Sequence, residues 1–189
     1  MRITGGEWRS RRLLGPGKTL HIRPTPDAMR ERAFAVLGDR VPDARFLDLF
    51  AGTGVNGLEA LSRGARSVVF VERHRAAAKL ISKNIDSFDL PPDRAELMVR
   101  VADAAVGQLA RSGRDFDIAW ADPHFEIWNE GLEAVEKLFE SGLMSKGSIA
   151  CLECPEKADV ASALTPNLEI VRDLAGGASR VVMIEATQR

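Results

Sequence analysis

Residues 45–72 read RFLDLFAGTGVNGLEALSRGARSVVFVE, and this stretch decides the architecture. Arg45–Phe50 is a short, nearly all-apolar run that stops at Ala51-Gly52-Thr53-Gly54. A helical pattern covers Val55–Arg63, and a second apolar strand covers Ser67–Glu72. Strands this short and this apolar are those of a parallel sheet covered on both faces. Strand, glycine turn, helix and strand together predict a βαβ unit of a doubly wound α/β sheet.

The alternation continues toward the C-terminus. Strands are predicted at Ala95–Val101, Phe116–Ala121 and Gly147–Glu153, with helices near Arg73–Phe88, Ala104–Arg111 and Asn129–Ser141. A short helix near Lys157–Leu164 precedes two further strands, Leu168–Leu174 and Arg180–Ala186. The turn between them, Ala175-Gly176-Gly177-Ala178-Ser179, is too short for a crossover, so the pair is predicted antiparallel. Toward the N-terminus, Thr25-Pro26-Asp27 opens a helix with Thr25 as N-cap and Pro26 as first helical residue. Its apolar stripe is Met29, Ala33, Phe34 and Leu37, and Gly38 ends it. Residues 2–22 read as short strands with turns at Gly5-Gly6 and Gly15-Pro16-Gly17, a small β-hairpin extension.

A chain of 189 residues fits one domain with a sizeable core. Its 45% hydrophobic and 28% charged residues are a soluble globular balance. No apolar run approaches the roughly 18 residues a membrane span needs. MRITGGEWRSRR lacks the apolar segment of a secretory signal, so a cytoplasmic protein is expected. The net charge of −1 hides an asymmetry: residues 1–32 hold eight basic residues against three acidic ones. A basic head on an acidic body suits contact with a polyanion, and also fits a plain solvated surface. Cys151 and Cys154 form a C-x-x-C, but no second ligand pair accompanies them, so zinc is not indicated. They lie in a predicted buried strand, where residues i and i+3 face opposite ways, so a disulfide is not expected either.

In such a sheet ligands bind beyond the carboxyl ends of the strands. After the first core strand, Asp48, Phe50, Ala51, Gly52 and Gly54 form a turn whose glycines admit close approach of a ligand to the backbone. The helix N-terminus behind them can face a carboxylate. Glu72 ends the second strand at the spacing of an acid that receives ribose hydroxyls, which points to an adenosine-type cofactor. Asp103 follows the third strand, placed to hold an adenine amino group or to cap the next helix. The fourth strand runs into Asp122-Pro123-His124-Phe125. An amine on a base is a poor nucleophile because its lone pair is delocalised into the ring. Acceptors at Asp122 Oδ and the Pro123 carbonyl can hold its N–H groups, and Phe125 offers a face for a flipped base. An ordinary strand-end turn also uses Asp-Pro.

These residues resemble those of the 16S ribosomal RNA (guanine(966)-N2)-methyltransferase (RsmD) family over nearly the whole chain. The likeness runs through Arg2-Ile3, Gly6-Glu7-Trp8-Arg9, Arg11-Arg12-Leu13, Arg23-Pro24-Thr25, Asp27, Arg30-Glu31 and Phe34. It is strongest over LDLFAGTGVNGLEALSRGA (47–65) and VVFVER (68–73). The resemblance implies a Rossmann-like S-adenosylmethionine-dependent methyltransferase fold: a mostly parallel seven-stranded sheet with a C-terminal antiparallel hairpin. Residues 25–189 would form that domain, and 1–24 a basic extension for RNA contact. The implied reaction is methyl transfer from S-adenosylmethionine to the exocyclic N2 of a guanine in small-subunit ribosomal RNA. Asp122, Pro123 and Phe125 would be catalytic. Asp48, Phe50, Ala51, Gly52, Gly54, Glu72 and Asp103 would hold the cofactor. Arg2, Arg9, Arg11, Arg12, Arg23, Thr25 and His124 would meet RNA. The expected partner is ribosomal RNA or the small subunit, with a monomeric protein, no metal and no membrane.

The chain departs from the family at three places. His124 replaces the second proline of the D/N-P-P-Y/F tetrapeptide, which is expected to loosen the loop carrying Asp122. Asn56 stands where an apolar residue is more usual. Ala175-Gly176-Gly177 replaces a Tyr-Gly turn, in a chain without tyrosine. Three other readings remain: an adenine-N6 methyltransferase, a cofactor-binding RNA assembly factor weakened by His124, and a nicotinamide oxidoreductase. The terminal hairpin disfavours the last.

Overall fold

The computed structural model describes residues 1–17 and 26–187. Seven strands alternate with helices in the predicted order: α1 (Asp27–Leu37), β1 (Arg45–Leu49), α2 (Val55–Ser62), β2 (Ser67–Val71) and α3 (Arg75–Asp86). β3 (Ala95–Met98), α4 (Ala102–Arg111), β4 (Ile118–Ala121), α5 (Trp128–Glu140) and β5 (Ile149–Pro155) follow. The chain closes with α6 (Val160–Ala163), β6 (Leu168–Gly176) and β7 (Ser179–Ala186). The strands form one sheet in the order β3-β2-β1-β4-β5-β7-β6. Pairs among the first five are parallel, whereas β7 runs antiparallel to both β5 and β6. The chain leaves β1 to β2 on one side and later returns to β4 on the other. The order therefore reverses at β1/β4, and a ligand crevice is expected above their carboxyl ends.

Alternation along each strand divides the core. Phe46, Val68, Phe70, Trp120 and Cys151 face one layer with α1 and α2. Leu47, Leu49, Val69, Ala119, Leu152 and Cys154 face the other with α4 and α5. Cys151 and Cys154 thus lie on opposite sides of the sheet as free, buried thiols, and burial pushes both up from the usual thiol range. In the first layer the rings of Phe34 and Trp120 stack with centroids 5.5 Å apart. The α2 helix lies tight on β2 at Gly57, where an added Cβ would stand 2.3 Å from the Phe70 ring. Gly57 is the third glycine of a G-x-G-x-x-G run beginning at Gly52, and close helix–strand packing is what that position provides.

At α1 the cap is Pro26, with φ −54° and ψ 135°, and helical geometry begins at Asp27 rather than at Pro26. Thr25, read as the cap, lies outside the described residues. Met29, Ala33, Phe34 and Leu37 are buried as expected, and Gly38 ends the helix at φ 49°. Over its described residues, 1–17, the N-terminal extension makes a hairpin-like turn without regular strands. Ile3 N–H donates to Arg11 O (2.9 Å), Ser10 N–H donates to Ile3 O (2.9 Å), and Arg2 bridges Arg12 antiparallel.

That extension is fastened to the domain by a buried ionic cluster. Glu59 of α2 is fully buried and accepts hydrogen bonds from three residues around it. These come from Thr4 N (2.7 Å), Thr4 Oγ1 (2.7 Å), Arg30 Nε (3.3 Å) and Arg63 Nε (2.8 Å). Arg30, also fully buried, donates through Nη2 to Asp27 Oδ1 (2.8 Å) and to Arg2 O (2.5 Å). Gly6, at φ +76°, admits no side chain because a Cβ would overlap Ser62 O at 1.9 Å.

Candidate active site

A cleft of about 830 Å³ opens above the carboxyl ends of β1, β2, β3 and β4, with Glu153 of β5 beside them. It lies within the roughly 300–1,000 Å³ usual for small-molecule and cofactor sites. Of the residues singled out in the sequence, Phe50, Ala51, Gly52, Glu72, Asp103, Asp122, Pro123, His124 and Phe125 line it.

The glycine turn forms one wall. Gly52 and Gly54 take φ of 57° and 77°, and Phe50 takes 58°. A bulky side chain in the left-handed region costs about 1–2 kcal/mol, so Phe50 carries backbone strain at the rim of this cleft. Glu72 secures the turn. Its Oε2 accepts from Gly52 N (2.9 Å) and its Oε1 from His74 N (2.7 Å). An ionised carboxylate offers about four acceptor positions, so Glu72 keeps capacity for two hydroxyl donors.

Two residues expected beside the ligand sit behind the wall instead. Asp48 is fully buried and does not line the cleft. Its Oδ2 accepts from Gly57 N (2.9 Å), fixing the first turn of α2, while its Oδ1 has no partner. Burial pushes its carboxyl well above the usual range; the Gly57 bond opposes that rise and the nearby Glu72 charge adds to it. Gly54 also stays off the cleft surface, closing the turn by donating to Ala51 O (2.7 Å). Asp103 reaches the cleft but is not a cap. α4 begins at Ala102 with Val101 as N-cap, and the Asp103 carboxylate pairs with Lys137 of α5. That pairing raises the Lys137 ammonium above its ordinary value.

The opposite wall is the segment after β4. Asp122 N–H donates to Leu49 O at 3.4 Å, continuing the β1–β4 ladder one residue further. Pro123 is clamped by α5: a Cβ on Gly131 would stand 2.6 Å from Pro123 Cγ. His124 has φ −55° and ψ 141°, and its carbonyl accepts from Ile127 N (2.9 Å) in a short 3-10 turn, Phe125–Ile127. A proline ring fixes φ near −65 ± 15°. The loop therefore already holds the conformation a second proline would impose.

Two cleft residues carry chemistry the sequence reading did not assign. Glu153 of β5 lines the cleft and is 3% exposed. Because Ala121 pairs with Leu152 in parallel register, Asp122 and Glu153 are neighbours on one face of the sheet. Glu153 obeys the strand-end rule that singled out Glu72, and that rule could have found it. Asn56, in the first turn of α2, lines the cleft and is also 3% exposed, with an unpartnered Oδ1.

None of Arg2, Arg9, Arg11 and Arg12 lines the cleft, and Arg23 and Thr25 lie outside the described residues. Arg9 belongs to the hairpin tip, which docks on Ser62 at the far end of α2, roughly 10 Å along that helix from the cleft. Arg11 is held at the end of α3, donating to Ser87 O with its guanidinium 4.0 Å from the Phe88 ring centroid. The open end of the hairpin lies nearer the cleft. Thr53 Oγ1 donates to Met1 Sδ (3.2 Å), and Leu14 N–H donates to Asn84 Oδ1 (2.9 Å), whose amide donates to Thr53 O (3.0 Å). Among the described residues no helix is long and apolar enough to cross a membrane.

Comparison with known proteins places this geometry. The model of the family described as conserved hypothetical protein 95 matches residues 1–185. Ribosomal RNA small subunit methyltransferase D of Escherichia coli K12 is 35% identical over 155 residues, 81% of this chain and 74% of the relative. The Haemophilus influenzae protein of the same name is 30% identical over 153 residues, 81% and 78% of the two chains. A solved Escherichia coli structure that carries a provisional methyltransferase name superposes with a TM-score of 0.80 at 30% identity. It covers 100% of this chain and 99% of its own.

Proposed function

The chain belongs to the conserved hypothetical protein 95 family, the family of ribosomal RNA small subunit methyltransferase D, and from that premise we propose that it methylates the exocyclic N2 of a guanine in small-subunit ribosomal RNA. The observation that carries this reading is the shared cleft, with Asp122, Pro123 and Phe125 facing the Gly52 turn and Glu72. S-Adenosylmethionine, when bound, supplies an electrophilic methyl group on a sulfonium centre. Glu72 would receive the ribose hydroxyls and Asp103 the adenine amine. Glu126, Glu130 and Glu133 at the mouth give the cleft an acidic lining, which suits a cationic donor.

The remaining chemistry belongs to the acceptor. Asp122 Oδ and the Pro123 carbonyl would each accept one N–H of the guanine amine, turning its lone pair toward the methyl group. Phe125 would stack the flipped base. Fixed acceptors of this kind act where charge develops and need no reorganisation during the step. Glu153 favours guanine over adenine. Guanine presents an N1–H donor beside its amine, whereas adenine presents a ring acceptor that a second carboxylate would repel. RNA would approach along the hairpin side, where Arg2, Arg9 and Arg12 are exposed.

The deciding experiment is tritiated-methyl transfer onto small subunits from a strain lacking the gene, followed by nucleoside digestion. N2-methylguanosine is the expected product. N6-methyladenosine would replace guanine by adenine. No product, despite cofactor binding, would leave an assembly factor. Glu72→Ala should weaken S-adenosylhomocysteine by about 1.5–3 kcal/mol, the range for hydrogen bonds involving a charged group. Calorimetry measures this, and an affinity unchanged within twofold would remove Glu72 from the ribose site.

His124→Pro tests the departure from the family pattern. With φ already at −55°, the backbone at 124 lies in the range a proline ring imposes. Turnover should stay within about threefold of the parent if positioning by Asp122 and Pro123 is what matters. A large loss of rate, with a changed pH profile, would make the imidazole a participant.

A further inference from the structure

Cations line the outer face of α3 with no carboxylate to meet. Arg75, Lys79 and Lys83 stand four residues apart on that helix, and all three are exposed. Residues at i, i+4 and i+8 share one face, and successive charges rise about 6 Å along the axis. Ala77, Ala78, Ile81 and Asn84 occupy the buried side. Elsewhere on the body, Arg45, Arg114, Lys137 and Arg180 are each matched by an aspartate or a glutamate. Among the described residues, Arg75, Lys79 and Lys83 enter no such pair. Asp86, about one turn beyond Lys83, is the only acid of the helix. α5 has the opposite balance, with Glu130, Glu133, Glu136 and Glu140 against Lys137. The basic stripe starts at the cleft, where Ala77 of α3 is a lining residue together with Arg73 and Arg100, just past β2 and β3. It ends at the N-terminal extension, where Arg11 donates to Ser87 O and Leu14 N–H to Asn84 Oδ1 (2.9 Å).

We propose that the outer face of α3 is a phosphate track, which carries the RNA strand flanking the target base between the extension and the cleft. The chemistry of this face fits a nucleic-acid backbone rather than a protein. Protein interfaces are depleted in lysine and enriched in aromatic residues and methionine. This helix presents two lysines and an arginine, and has no aromatic residue or methionine. Long flexible cations at regular intervals suit a regular array of phosphates, and such contacts position a strand without reading its sequence. The direction follows from the sheet. In the order β2-β1-β4, the end of β2 stands two strand spacings, about 10 Å, from the end of β4. A strand leaving α3 at Arg75 therefore passes Arg73 and reaches the cleft on the side that leads to Asp122. Glu126, Glu130 and Glu133 on the opposite rim repel a phosphate chain from the α5 side. The track also connects the arginines of the extension, which do not line the cleft, to the site where the base reacts.

This rests on the reading of RNA as the substrate, and the test separates the two claims. The triple variant Arg75→Gln, Lys79→Gln, Lys83→Gln removes three exposed charges that do not line the cleft. Its control, Arg66→Gln, Lys146→Gln, Lys157→Gln, removes the same charge from exposed positions off α3. Fluorescence anisotropy with a single-stranded RNA of mixed sequence measures affinity across a salt series. Each phosphate contact on a single strand contributes about −0.7 to the slope of log K against log salt. The α3 triple should flatten that slope by about 2, and the control should keep the parent's slope. On small subunits from a strain lacking the gene, KM should rise while kcat stays near the parent's, as for loss of uniform binding. S-Adenosylhomocysteine affinity should stay within about twofold of the parent. If the parent acts on whole subunits but binds no free RNA, the salt slope of kcat/KM is read instead, by the same criteria. A parental slope in the α3 triple overturns the track, and so does equal flattening in both variants, which would mark net charge alone. A raised KM on subunits with unchanged affinity for free RNA would put a ribosomal protein on α3 and overturn it equally. A parent that binds no RNA and methylates no subunit overturns the substrate reading and this inference together.

Discussion

Replacing Asp122 by alanine is expected to lower methyl-transfer turnover by roughly 10²–10³, the scale for removing one preorganised electrostatic group. The size of the effect follows from how the carboxylate is held. Its backbone continues the β1–β4 ladder, Pro123 is clamped against Gly131, and the following residues form a hydrogen-bonded turn. An acceptor fixed this way contributes mainly once the amine begins to lose its ring delocalisation, so the loss should fall on kcat more than on KM. Cofactor affinity should barely change, because the Gly52 turn and Glu72 belong to β1 and β2. Asp122→Asn keeps one acceptor and should lose less. Single-turnover rates with saturating RNA, paired with calorimetry of S-adenosylhomocysteine, read both quantities. A variant with full turnover, or one whose defect lies wholly in KM, would remove Asp122 from the transition state.

The parts of this site that were legible in the sequence are those carried by local pattern. Gly52 and Glu72 come from one strand–turn–helix–strand unit, and Asp122-Pro123 from a single strand end. Residues whose role depends on distant partners were read less well. Glu153 ends the predicted fifth strand as Glu72 ends the second, but its place beside Asp122 follows only from the Ala121–Leu152 register. Asp48 looked like a ligand residue because it precedes the glycines. Strand alternation instead turns it inward onto Gly57, and the period-2 rule places a side chain on a face without saying how deep it lies. Asp103 falls two residues past the actual cap, a shift of the size that helix boundaries usually carry. The basic head was recognised by charge, which does not say where each arginine rests; Arg11 is packed on Phe88 and Ser87 at the end of α3. The terminal hairpin, by contrast, followed from connection length alone, and it closes the sheet as expected.

Glu59→Ala should be the most destabilising single change in the extension–domain contact, at about 3–5 kcal/mol, because it removes the buried carboxylate that pairs with Arg30 and accepts from Thr4 and Arg63. Glu59 lies within the most family-like stretch of the sequence, yet its spacing shows only a helical acid. In the folded chain donors from the extension, from α1 and from the end of α2 converge on its two oxygens. Losing the carboxylate removes these bonds together, while Thr4 and Arg30 stay shielded from water. For a domain of this size such a loss lowers the melting temperature by roughly 6–20 °C. A double substitution, Glu59→Leu with Arg30→Met, should recover much of the stability, since well-packed apolar groups often replace a buried ion pair without cost. It should not recover attachment of the extension, because Thr4 would still lack its acceptor and Arg2 O its donor. Hydrogen exchange at Ile3 and Ser10, whose amides close the hairpin, should therefore stay fast in the double variant even as its melting temperature returns. RNA affinity should fall with that exchange, while cofactor affinity stays near the parent's, because Glu59 lies a full turn below the cleft end of α2. A double variant with parental exchange and parental RNA affinity would mean that apolar packing alone docks the extension, through Ile3, Trp8 and Leu13.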